Sequence, residues 1–80
     1  MEETVKNSGA QDVLRQLGCR IKQIRVNRGI SQARLAEICS LPKASMSRIE
    51  AGKINMTMRT LLCIVTAFEL SVAELLESLD

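Results

Sequence analysis

Ser31 to Gly52 reads SQARLAEICSLPKASMSRIEAG. The stretch has the length of two short helices joined by one tight turn. Leu35 and Cys39 stand four apart, and Met46 and Ile49 three apart, the spacings that place side chains on one helix face. Leu41-Pro42 lies between them, and proline is excluded from a helix interior but suits its first turn. Ala36 is small enough for the two helices to come close. The predicted arrangement is helix, sharp turn, helix, a unit whose second helix can lie in the major groove of DNA.

The flanks extend the pattern. Residues 20–36 read R-I-K-Q-I-R-x-N-R-G-I-S-Q-x-x-L-A, and residues 45–53 read S-x-S-R-I-E-A-G-K. In this order and at this spacing the sequence resembles the Cro/lambda-repressor-like (XRE) helix-turn-helix family, over about Leu17 to Leu76. The resemblance implies an all-α fold: a compact five-helix lambda-repressor-like DNA-binding domain. In one respect the chain departs from the family. The turn after the first motif helix usually holds glycine, because a left-handed backbone is needed there, and Ser40 should carry strain in its place.

Eighty residues make one domain, and a chain this small buries only about 60% of the surface its unfolded form exposes. Hydrophobic residues are 46% of the sequence, but Phe68 is the single aromatic, so Leu, Ile, Val and Met must build the core. No apolar run approaches the length of a membrane span, and no apolar signal region opens the chain, so a cytoplasmic location is expected. Cys19, Cys39 and Cys63 are widely separated and histidine is absent. No metal or other cofactor is expected, and the three cysteines read as small buried hydrophobes.

The net charge of +2 is unevenly placed. Residues 13–60 carry ten basic residues against Glu37 and Glu50, a net of +8, while residues 61–80 carry four acids and no base. A basic body with an acidic end suits a phosphate-facing surface opposite a face with another use.

Along the chain, residues 1–9 read as a flexible tail and 10–80 as the DNA-binding domain with a C-terminal dimerisation helix. Ser8 and Gln11 can form a capping box for a first helix that runs to about Asn27, with Leu14, Leu17, Ile21 and Ile24 as its buried stripe. Ser31 caps the second helix, which ends near Cys39. The third runs from Pro42 or Lys43 to near Ala51. Thr57 caps a fourth, through about Phe68, with Met58, Leu61, Leu62, Val65 and Phe68 as its apolar face. Ser71 and Glu74 form a capping box for a fifth, to about Leu79.

With Met46 and Ile49 turned inward, the third helix should present Lys43, Ala44, Ser47 and Arg48 to DNA bases. Arg48 can donate two hydrogen bonds to a guanine edge, Lys43 can reach guanine or a phosphate, and Ala44 suits a thymine methyl. Ser45 can face a phosphate or the first motif helix. Gln32 sits in the first turn of the second helix, where free amides and the helix dipole attract a phosphate. The resemblance implies that Gln32 clamps the DNA backbone and can brace a base-reading side chain. Lys53, Asn55, Thr57 and Arg59 read as a second phosphate clamp. Arg25 and Glu50 match positions that family members hold as an ion pair, and so read as scaffold.

Nothing here resembles catalytic machinery: there is no histidine, no glycine-rich phosphate loop and no serine elbow. The expected function is a sequence-specific, double-stranded DNA-binding transcriptional regulator that acts as a homodimer on a palindromic operator. One helix covers only a few base pairs, and two copies about 34 Å apart read two half-sites. Ile64, Leu70, Val72, Leu75, Leu76 and Leu79 are the candidate dimer residues, with Leu75 and Leu76 the more core-like. No small-molecule ligand is expected, since the chain shows no ligand-sensing domain. Small family members include phage repressors, antitoxins and restriction–modification controller proteins. The alternative is a protein-interaction module, such as an antitoxin that chiefly neutralises a partner protein.

Overall fold

The computed structural model describes residues 7–77. Five helices follow in order: α1 (Asn7–Asn27), α2 (Gln32–Ile38), α3 (Lys43–Glu50), α4 (Met58–Ala67) and α5 (Val72–Glu77). No strand occurs among the described residues.

The starts of these helices follow local chemistry. The Ser31 hydroxyl accepts from the Arg34 amide at 3.0 Å, and Thr57 Oγ1 accepts from the Thr60 amide at 3.1 Å. Ser71 and Glu74 close a reciprocal box: the Glu74 amide donates to Ser71 Oγ and the Ser71 amide to Glu74 Oε1. Pro42 precedes α3 with extended backbone and offers no side-chain cap. Ser8, expected as the cap of α1, lies inside that helix, because α1 already begins at Asn7. The expected tail boundary at residue 10 therefore falls within helical turns. Leu79, the expected end of the last helix, lies outside the described residues.

The ends share one closure. Gly29, Ser40, Gly52 and Glu69 follow α1, α2, α3 and α4, each with φ between 56° and 72°. The next residue donates back across the turn in every case: Ile30 to Arg25, Leu41 to Ala36, Lys53 to Arg48 and Leu70 to Val65, at 2.8–3.0 Å. This is the Schellman closure, which satisfies carbonyls that a helix end leaves unpaired. Ser40 has the left-handed backbone expected of it. Glu69 has it as well, a second non-glycine position that the sequence does not announce. Ile30, Leu41 and Leu70, directly after the left-handed residue, pack against the core and anchor three of the closures.

The core gathers Leu17, Ile21 and Ile24 of α1, Leu35 and Ala36 of α2, Met46 and Ile49 of α3, and Leu75 of α5 around Leu61, Ile64, Val65 and Phe68. Each large aliphatic removed from water contributes about 1.5–3 kcal/mol before entropy is counted. Leu14, expected in the α1 stripe, is half-buried at its edge. Met58 and Leu62, expected on the inner face of α4, are exposed, and Ile64 takes the inner position. The reason is phase: with Leu61, Ile64, Val65 and Phe68 inward, Leu62 lies about 100° round the helix from Leu61. At the far end of α1, the Arg28 guanidinium lies 6.0 Å over the Phe68 ring and donates to the Phe68 carbonyl.

α1 crosses α3 without clearance. A Cβ on Gly18 would fall 2.4 Å from the Ile49 carbonyl oxygen and 2.6 Å from that of Glu50. Gly52 meets α1 in the same way, its absent Cβ position lying 2.6 Å from Arg15 Cα. Two glycines thus let the long first helix rest on the end of α3.

Candidate nucleic-acid interface

α3 is clamped on its inner side and open on its outer side. Met46 is fully buried, as is nearly all of Ile49, while Lys43, Ala44, Ser47 and Arg48 are exposed. Ser45 is half-buried between the two sides. The outer face offers a guanidinium, an ammonium, a hydroxyl and a methyl, a set able to match base edges and thymine methyls.

The inner clamp is partly polar. Arg25 Nε donates to Glu50 Oε2 at 2.7 Å and Arg25 Nη2 to Glu50 Oε1 at 3.2 Å. Arg25 Nη1 donates to the Ile30 carbonyl at 2.8 Å, and Gln32 Nε2 donates to Glu50 Oε1 at 3.0 Å. Arg25 and Glu50 are only 9% and 7% exposed. A desolvated carboxylate thus receives three donors from α1 and α2, which fixes α3 against both. Gln32 turns its amide to Glu50 in the free protein, so that side chain braces the scaffold rather than reaching outward.

Three of the four residues expected as one clamp line two different depressions. Lys53 and Asn55 border a cavity of about 520 Å³ shared with the start of α1. Arg59 borders another, of about 460 Å³, beside Ser40 and Leu41 at the end of α2. Thr57 is exposed, but its hydroxyl is engaged, accepting from the Thr60 amide and donating to Thr60 Oγ1 at 3.1 Å.

The candidate dimer residues also divide. Ile64 and Leu75 are fully buried within the subunit, because both belong to the core cluster, and offer no surface to a partner. Leu76, expected as more core-like, is 43% exposed, one residue round from inward-facing Leu75. Leu70 and Val72 are half-buried, and Leu79 lies outside the described residues.

The cysteines differ from the expectation. Cys19 is exposed, and Cys39 and Cys63 are half-buried neighbours. Burial, and then the adjacent Cys63, push the Cys39 thiol up to about 12, so it stays protonated at neutral pH. Cys63 Sγ donates to the Ile38 carbonyl at 3.6 Å. Among the described residues no group of three or more His, Cys, Asp or Glu gathers as metal ligands would. No described helix is long and apolar enough to cross a membrane.

Sequence reasoning passes over Gly18. An isolated glycine inside a helical pattern, at a cost of about 1 kcal/mol against alanine, is the available signal, and it does not separate Gly18 from Gly9, which meets nothing.

A helix-turn-helix domain family matches residues 16–78. The chain belongs to that family. It is of the Cro/lambda-repressor-like (XRE) kind. It is 35% identical over 57 residues to the HTH-type transcriptional regulator PuuR of Escherichia coli (strain K12), covering 71% of this chain. This chain spans only 31% of that relative's length. Among solved structures it resembles the clp gene regulator ClgR of Corynebacterium glutamicum, with a TM-score of 0.78 and 25% identity over 81% of this chain and 69% of that one. It also resembles the restriction–modification controller protein C.AhdI of Aeromonas hydrophila, with a TM-score of 0.73 and 28% identity over 80% of this chain and 96% of that one.

Proposed function

We propose that this helix-turn-helix protein is a sequence-specific regulator of transcription that binds double-stranded DNA as a homodimer, with α3 in the major groove. The observation that carries the reading is the two-sidedness of α3: a rigidly braced inner face and four exposed donors or methyls outward. The basic residues of positions 13–60 supply the long-range attraction to phosphates. The relatives support the class, since they are named regulators and a controller protein. The half-buried Leu70 and Val72 with the exposed Leu76, at the acidic end, are the surface offered to a second copy, which would place two α3 helices on a palindromic operator.

Selection of bound duplexes from a random pool tests this reading. A defined, two-fold symmetric sequence is expected. Arg48→Ala should then weaken binding to it by about 1–3 kcal/mol and relax preference at one base pair per half-site. Equal losses on selected and random duplexes would reassign Arg48 to the phosphates. Recovery of no sequence preference at all would instead favour a protein partner.

A further inference from the structure

α1 begins at Asn7, whereas the family match opens only at residue 16. The two additional turns stand against the loop that follows α3 and form one wall of the 520 Å³ groove. Gln11 and Arg15 line it from α1, and Lys53 and Asn55 line it from the loop. Arg15 is seated by Gly52: its Cα, N and Cγ all lie within 2.8 Å of the point a Gly52 Cβ would occupy. The backbone and the start of the Arg15 side chain are therefore set against the loop that carries Lys53.

The lining brings two cations and two amides together, with no carboxylate among the described residues that form it. Guanidinium is planar and weakly hydrated and can hold two phosphate oxygens at once, while the ammonium adds a point charge and each amide adds N–H donors. Asp12 pairs with Arg15, but it sits on the same helix three residues back, and both side chains are 59% exposed. Such a pair is held weakly and is easily exchanged for a doubly charged partner.

We propose that this groove binds a phosphate group of the DNA backbone, flanking the base pairs that α3 reads, with Arg15 as its principal ligand and Asp12 as the partner Arg15 gives up. The loop 51–55 continues directly from the C-terminal end of α3, so a strand leaving the major groove there passes the groove. The inference rests on the DNA-binding reading above.

The test titrates the full chain with a selected duplex, with a random duplex and with inorganic phosphate alone, across a range of salt. Arg15→Gln keeps the stem that covers Gly52 and removes the charge. It should weaken both duplexes by the same factor, about tenfold, and lower the salt slope by about one unit. Arg15→Lys should retain the slope, and Asp12→Asn should tighten binding to both duplexes. Circular dichroism and the melting midpoint of Arg15→Gln should match the parent. An unchanged slope in Arg15→Gln, with normal binding by the parent, overturns the groove as a DNA contact and leaves the α3 reading standing. A parent that binds no duplex overturns the DNA-binding reading itself. In that case, NMR shifts of the Arg15 and Asn55 side chains with inorganic phosphate, absent with chloride at equal ionic strength, would assign the groove to a free anion instead.

Discussion

Arg25 and Glu50 lie 25 residues apart, and the contact between them is buried. A buried pair contributes little relative to apolar residues of the same size, but losing one partner strands the other charge in a poor solvent. Arg25→Leu should therefore cost about 3–5 kcal/mol in urea unfolding, and adding Glu50→Leu should recover part of that loss. A double-mutant cycle with coupling near zero would refute the pairing as a structural device. Ser40 makes the opposite case. A left-handed backbone costs a non-glycine residue about 1–2 kcal/mol, and glycine would give back about 0.5–1 kcal/mol through its freer unfolded chain. Ser40→Gly should thus gain up to about 1 kcal/mol, read as a higher urea midpoint with unchanged slope. The thiols supply a chemical readout at this scale. Exposed Cys19 should react with iodoacetamide at neutral pH well before Cys39, whose thiolate is suppressed by burial and by Cys63. Site-resolved mass spectrometry measures the order, and early labelling of Cys39 would contradict its placement.

At the scale of the element, what could be read from sequence divides by the range of the interaction. Ser31, Thr57 and the Ser71–Glu74 box were legible because a cap and its amide lie three residues apart. The inward turn of Met46 and Ile49 was legible because period fixes it once the motif is placed. Period does not fix phase in a helix as apolar as α4, so Leu62 and Ile64 exchange their expected roles. Nor does it show which acceptor a polar side chain will choose, and Gln32 turns to Glu50 only because the buried pair lies within its reach. Gly18 is the clearest case of what sequence withholds, since its need arises from carbonyls of α3, more than thirty residues away. Gly18→Ala would push a methyl to 2.4 Å from a backbone oxygen that cannot swing aside. α1 must then lift from α3, at a cost of about 1–3 kcal/mol, and the Arg25–Glu50–Gln32 network loosens with it. The variant should melt earlier and bind the selected duplex less tightly. A melting midpoint equal to the parent's would show that the crossing is not as close as described.

At the scale of the whole molecule, the proposed function requires one small domain to distinguish an operator from the rest of a genome. On the proposed reading a single α3 would present four side chains to a few base pairs, too short a sequence to be rare, and two-fold pairing would multiply the information without enlarging the domain. The charge layout favours one geometry for that pairing. Positions 13–60 carry a net charge of +8 and would be drawn to phosphate, while residues 61–80 carry four acids and no base and would be repelled from it. The partner surface is therefore expected at the α5 end, where Leu76 is exposed beside half-buried Val72 and Leu70, and where fully buried Ile64 and Leu75 can take no part. In the proposed dimer, Leu76→Glu would set two carboxylates opposite each other across the two-fold axis and leave them desolvated. It should yield a helical monomer with a melting midpoint near the parent's, since Leu76 adds little to the subunit core. Binding to a duplex with two half-sites should fall steeply, while binding to a single half-site stays close to that of the parent. Sedimentation measured beside DNA titration separates these outcomes. If Leu76→Glu remains dimeric, the pairing surface lies elsewhere, and the exposed Met58 and Leu62 of α4 become the next residues to charge.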